Sequence, residues 1–215
     1  MTRNIKVLGL SLVAAFAMSA IGASTAVASF PLFHSEAEDT ILTGSQGQLA
    51  ALNILTTDLG ELKCKDVKYI GTQQVLTTST MTLKPKYEQC KLGEENAVVT
   101  ENSCAFVFHL GESTEPIEAQ MDIECVDADQ IVVHTEECTT TIPPQAGLKK
   151  VTFTNEGEAT TRSVVADLNI EEIHYVEHGA GCASETETTE NGTYTGKITV
   201  TGEDSEQVHV GIWVE

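Results

Sequence analysis

The chain runs to 215 residues, 41% of them hydrophobic and only 5% aromatic, with 32 acidic residues against 12 basic ones and a formal net charge of −20. That acid excess excludes nucleic-acid binding as the main role, because phosphate affinity comes from clustered Lys and Arg that release counterions; it argues equally against a non-specific anionic membrane partner. Collagenous, coiled-coil and wholly disordered classes are excluded by composition, and the length suffices for one domain of sandwich size or two small ones.

At the N-terminus, Arg3 and Lys6 precede an apolar run from Val7 to Ile21 and small residues ending Ala26-Val27-Ala28, the pattern of a secretory signal peptide. Residues 1–28 are therefore expected to be removed. The run is nearly long enough to stay as an anchor, but its Ala, Ser and Gly content favours cleavage. The first cysteine is Cys64, too far on to be a lipid-attachment site, and no second apolar run follows. The expected product is secreted or associated with the cell envelope, without stable membrane insertion. With Arg3 and Lys6 gone, ten basic residues face 32 acidic ones, a self-repulsion that favours solubility.

After a flexible lead at 29–37, alternation with period 2 dominates the unit 38–215. Short runs at 48–57, 61–71, 73–83, 104–110, 117–126, 130–135, 148–154 and 161–176 read as strands, separated by turn formers such as Asp58-Leu59-Gly60, Asp127-Ala128-Asp129 and Asn155-Glu156-Gly157. In the last of these runs Val164, Ala166, Leu168 and Ile170 alternate until Glu171-Glu172 shifts the phase, as a β-bulge would. Residues 183–191 read as an exposed acidic loop. The segments 193–202 and 208–215 form a C-terminal hairpin across Gly202-Glu203-Asp204-Ser205. Many short strands without helical crossovers predict an all-β fold, antiparallel sandwiches or a barrel, and the expectation adopted is an antiparallel β-sandwich built as one elongated unit or as two stacked sandwiches. The alternative boundary near 143–147 rests on Pro143-Pro144, which stop ladder pairing.

The six cysteines, Cys64, Cys90, Cys104, Cys125, Cys138 and Cys182, form an even set in a chain read as exported, which implies a disulfide framework. One bridge follows from register. If Cys104–Leu110 and Ala119–Cys125 pair so that residue numbers sum to 229, then Cys104 faces Cys125, Phe106 faces Ile123, Phe108 faces Met121 and Leu110 faces Ala119, and one face is wholly apolar. Cys64 with Cys90 and Cys138 with Cys182 are then the sequential choice.

The sharpest chemical motif is His174-Tyr175-Val176-Glu177-His178, the H-x-x-E-H pattern of inverted zincins. Zinc hydrolysis there needs a helix, on which His174 and His178 share a face and Glu177 polarises water. On a strand the two imidazoles point one way and Glu177 the other, and the local phase is that of a strand. Asp127, Asp129 and the doublets Glu94-Glu95, Glu136-Glu137 and Glu171-Glu172 admit calcium by ligand type but follow no known loop spacing, so no cofactor is expected. Asn191-Gly192-Thr193 matches an N-glycosylation acceptor. There is no G-x-S-x-G and no Gly-rich phosphate loop. Trp213 and His209 share the outer side of the last strand, where a second sheet or loop is expected to cover Trp213.

The runs Lys63-Cys64-Lys65-Asp66-Val67-Lys68-Tyr69-Ile70-Gly71-Thr72, Pro85-Lys86-Tyr87-Glu88-Gln89-Cys90, Cys138-Thr139-Thr140-Thr141-Ile142-Pro143-Pro144-Gln145 and Asn191-Gly192-Thr193-Tyr194-Thr195-Gly196 resemble a family of exported, cysteine-containing proteins of high-GC Gram-positive bacteria. The resemblance implies export and an all-β fold, and it brings no activity or catalytic residue with it. The functional expectation is a non-catalytic structural or binding protein at or outside the cell envelope that meets a protein or glycan surface. The alternative is a secreted hydrolase or metal-dependent enzyme whose site is assembled from scattered acids and histidines.

Overall fold

The computed structural model describes residues 30–47, 52–182 and 188–215. Its strands are β1 (Phe33–Ser35), β2 (Thr40–Gln46), β3 (Ile54–Thr57), β4 (Gly60–Gln73), β5 (Thr77–Thr78), β6 (Thr80–Leu92), β7 (Glu95–Thr100) and β8 (Ala105–Thr114), followed by β9 (Ile117–Glu124), β10 (Ile131–His134), β11 (Thr139–Ile142), β12 (Gln145–Glu156), β13 (Ser163–His178), β14 (Thr188–Glu203), β15 (His209–Val210) and β16 (Ile212–Val214). No α-helix occurs among the described residues. The all-β class and three disulfides are as expected from the sequence.

The finer expectation is corrected: the main sheet closes on itself as an eight-stranded barrel and is not a sandwich. The strands β2, β4, β6, β8, β9, β12, β13 and β14 pair antiparallel in that order, and β14 returns to β2 through Val200 opposite Gly44 and Thr201 opposite Thr43. This is an up-and-down barrel, in which chain neighbours are space neighbours and closure removes the sheet edges. Period 2 dictates which side chains face inward but says nothing of whether the last strand meets the first, so a sandwich and a barrel share one sequence pattern.

A second ring of eight closes on the same long strands. Towards its other end, β4 pairs with β3 (Leu62 opposite Leu55), β6 with β7 (Leu92 opposite Glu95), β7 with β10, β10 with β11, β11 with β13 (Thr140 opposite Glu177), and β14 with β3 (Tyr194 opposite Leu55). The four long strands β4, β6, β13 and β14 thus serve both rings, and the shorter strands share the circumference between them. Thr141-Ile142-Pro143-Pro144, read as a possible domain boundary, is the crossing from β11 in one ring to β12 in the other.

The interior is filled. Tyr69, Phe108, Met121, Phe153, Leu168, Ile170, Ile173 and Ile198 are fully buried, while the outward positions of β4 and β6 carry Lys63, Lys65, Lys68, Lys84 and Lys86. Fully burying each large apolar side chain stabilises the fold by about 1.5–3 kcal/mol. A small sheet, β5-β1-β16, lies over one end of the barrel, where Phe33 meets Phe153 edge-on at 5.0 Å and Phe153 meets Phe108 at 5.6 Å.

Three local expectations change. Residues 33–35, read as part of a flexible lead, form β1, because Phe33 has an apolar pocket to fill and β16 to pair with. The C-terminal hairpin is limited to Gly202 opposite Val210 and Glu203 opposite His209; β16 then leaves to pair with β1. The segment 73–83 divides into the end of β4, β5 and the start of β6, and β6 continues to Leu92. Of the acidic loop at 183–191, residues 188–191 belong to β14, and 183–187 lie outside the described residues, as do the leader 1–28 and residues 48–51.

Candidate functional site

Where the two rings meet, three tyrosines and one asparagine converge inside the barrel. Inward positions of β4, β6 and β14 bring in Tyr69, Tyr87 and Tyr194, and the approach to β3 supplies Asn53. The hydroxyls of Tyr69 and Tyr194 are 2.8 Å apart, those of Tyr87 and Tyr194 3.1 Å apart, and Asn53 Nδ2 donates to the Tyr69 hydroxyl. The backbone N–H of Asn53 donates to Gln46 Oε1, whose own amide donates to the Cys64 carbonyl. Gly196, at φ +145, permits this arrangement: a Cβ there would meet the Asn53 side chain. Beside the network lies a space of about 30 Å³ lined by Asn53, Leu55, Phe106, Met121 and Ile131, the size of one water molecule.

Burial pushes Tyr69 and Tyr87 well above the ordinary tyrosine range, reinforced by the coulombic influence of Tyr194, and burial also raises Tyr194. Neutral, mutually hydrogen-bonded hydroxyls of raised pKa are poor nucleophiles and poor bases at neutral pH. Their effect is to tie three strands of the barrel to the segment entering β3. Near the opposite mouth, a second ring of contacts joins Asp58, Tyr175 and Asn191: the Asp58 N–H donates to the Tyr175 hydroxyl, which donates to Asn191 Oδ1, while Asn191 Nδ2 donates to Asp58 Oδ1. The nitrogen that glycosylation would use is thus occupied.

The H-x-x-E-H residues sit on β13, on opposite sides of the sheet. Glu177 points inward and is 1% exposed, whereas His174 and His178 point outward. This is the strand geometry foreseen from the phase, and it does not present one metal ion with all three groups. Glu177 instead lies close to the Cys138–Cys182 disulfide. His174 faces Glu190 at 3.9 Å. The bulge expected at Glu171-Glu172 is present, with the β13–β14 register shifting between Ile170 and Ile173 and Glu172 at φ +61.

A different grouping carries no local signal in the chain. His109 on β8 and Asp122 and Glu124 on β9 bring one imidazole and two carboxylates together on the outer surface. His109 Nε2 is 3.1 Å from Asp122 Oδ2, and Asp122 Oδ1 accepts the Gly147 N–H at 2.7 Å, which orients the carboxylate. This mixed N/O donor set is one that a divalent cation could use. The Asp127-Ala128-Asp129 turn considered for calcium has another employment, since Asp129 Oδ2 accepts the Ser103 N–H. Trp213 is half-buried: the ring of His34, its partner on the neighbouring strand of the same small sheet, stacks on it at 5.1 Å and 10°, and the Arg162 guanidinium lies 5.1 Å from the ring centre.

The disulfides join Cys64 to Cys90, Cys104 to Cys125 and Cys138 to Cys182. These are the pairings expected, and the β8–β9 register, with Phe106 opposite Ile123, Phe108 opposite Met121 and Leu110 opposite Ala119, is the one that sums to 229.

One outer face departs from the acidic character of the molecule. Six of the twelve basic residues, Lys63, Lys65 and Lys68 on β4 and Lys84, Lys86 and Lys91 on β6, project from two adjacent strands. Lys63 pairs with Glu61, Lys68 with Asp66 at 3.1 Å and Lys86 with Glu88 at 3.0 Å. Sequence reading passed over this cluster because the lysines are spread over 29 residues and converge only through the β4–β6 register.

The chain matches no protein-family model, no curated protein and no solved structure.

Proposed function

We propose that the chain is an exported, non-catalytic β-barrel protein with a structural or binding role at or outside the cell envelope. The observation that carries this reading is the filled interior. With Phe106, Phe108, Met121 and Phe153 occupying the barrel and about 30 Å³ left beside Asn53, a partner meets the outer surface. Barrels that carry ligands inside keep a cavity of several hundred Å³. Three disulfides suit an oxidising compartment, in keeping with the leader-like residues 1–28. The outward lysines of β4 and β6 are the reverse of the lipid-facing apolar band of membrane barrels, which favours a protein that works in water. The resemblance to exported proteins of high-GC Gram-positive bacteria points the same way.

The test is expression of the whole chain with its leader in a secreting host. The reading predicts recovery outside the cytoplasm, an N-terminus at Ser29 and no free thiol among the six cysteines. Recovery in the cytosol with reactive thiols would overturn it. The metal-dependent alternative is favoured by one observation, the His109-Asp122-Glu124 group, and predicts a stoichiometric divalent cation in the same purified sample that is lost on His109→Ala.

A further inference from the structure

The lysine face of β4 and β6 conflicts with the ordinary chemistry of a sheet. Lys63 lies directly opposite Lys91, and Lys68 directly opposite Lys86; like charges in such positions destabilise a sheet. In a chain with 32 acidic residues, two facing Lys–Lys pairs in one strand pairing are a local cost that Glu61, Asp66 and Glu88 on the same face offset only in part, and Asp66 in turn lies opposite Glu88. Costs of that kind mark functional positions. Glu61, Asp66 and Glu88 neutralise only half the face, and among the described residues no ion pair involves Lys65, Lys84 or Lys91. The rest of the chain holds the other six basic residues and 29 acidic ones, so this ribbon is a cationic island on a strongly anionic molecule.

From this charge complementarity we infer that the outer face of β4 and β6 binds a linear acidic polysaccharide, one carrying carboxylates along its length. The lysines lie about 5 Å apart across the strands and about 7 Å apart along them, intervals comparable with the repeat of a polymer that has one carboxylate per sugar. Beside Lys63, Lys65 and Lys91 runs an open groove of about 820 Å³ whose floor is largely apolar, with Leu52, Ala97 and Val98, a surface for the faces of sugar rings. The amides of Gln89 and Asn96 add neutral donors and acceptors there, suited to sugar hydroxyls. An acidic peptide is disfavoured as occupant because strand addition needs a free edge. Here β4 is paired with β2 and β3 on one side and β6 on the other, β6 is paired beyond with β8 and β7, and the Tyr87 N–H is taken by Glu101. A dense phosphate polymer is disfavoured by the acidic surroundings and by a face made of lysine alone, without the arginine fork that phosphate recognition favours.

The inference rests on the proposed extracellular binding role, and its test is separable from that of export, which is read from the N-terminus and the thiols. The purified, oxidised protein is titrated with size-defined oligogalacturonate at low and at physiological salt, with dextran, polyphosphate and single-stranded DNA as comparators. Saturable binding of oligogalacturonate that weakens as salt rises is expected, with no binding of dextran. The triple variant Lys63→Gln, Lys65→Gln, Lys91→Gln should lose about tenfold or more in affinity while its melting temperature stays level or rises, since a facing Lys–Lys pair is gone. Lys149→Gln, Lys150→Gln on β12 should bind as the parent does. No binding by the parent, equal binding by the triple variant, or tighter binding of polyphosphate or DNA through the same lysines would each overturn the assignment.

Discussion

Tyr194 links strands that are remote in the chain through a single hydroxyl, which contacts both Tyr69 and Tyr87 inside the barrel. Tyr194→Phe keeps the ring and removes that junction, leaving two buried hydroxyls short of a partner. The expected loss is about 1–3 kcal/mol, read as a lower urea midpoint with an unchanged slope. The pH dependence follows from the same burial. Tyr69, Tyr87, Tyr175 and Tyr194 are all raised, with burial the largest cause in each case. A group raised in the folded state contributes stability that is complete below its unfolded value, about 10 for tyrosine, and is lost as pH climbs through the folded value. Stability should therefore hold up to about pH 10 and fall above it. Tyrosinate absorbance should appear together with the loss of strand circular dichroism. Tyrosines that ionise near pH 10 in an intact barrel would contradict this account.

At the scale of elements, the β8–β9 hairpin was readable from the chain because Cys104, Phe106, Phe108 and Leu110 recur at every second position, as do Cys125, Ile123, Met121 and Ala119 that face them, and a slip of one residue would turn that set to solvent. The structure keeps that register and adds the Cys104–Cys125 bond. Closing a loop with a separation of 21 residues should contribute about 3 kcal/mol, chiefly by restricting the unfolded chain. Replacing both cysteines by Ala should lower the melting temperature by several degrees, with the other four cysteines still oxidised; a peptide map joining Cys104 to another cysteine would refute the hairpin. The bulge at Glu171-Glu172 was equally legible from its break in phase. By contrast, β7 and β11 went unread because their alternation is brief, and the far half of β6 was hidden by Pro85, which lacks a ladder donor. The lysine face and the tyrosine network needed the β4–β6 and β3–β14 registers, which join residues with no local signal in common.

For the molecule as a whole, the decisive feature is closure. Leader, alternation, disulfides and acidity belong to the chain read in one dimension, whereas β14 returning to β2 and β3 belongs to three. That return leaves neither edge of the main sheet free and directs the apolar faces into one filled interior, so that the β4–β6 lysines stand on the outer surface. An open sandwich with the same strands would leave β2 and β14 as unprotected edges. Nuclear magnetic resonance of the isotope-labelled, oxidised protein tests this most directly. The account predicts cross-strand contacts between Thr43–Gln46 and Ile198–Thr201 and between Ile54–Thr56 and Thr193–Thr195, with slowly exchanging amides in β2; missing contacts together with freely exchanging β2 amides would contradict the barrel.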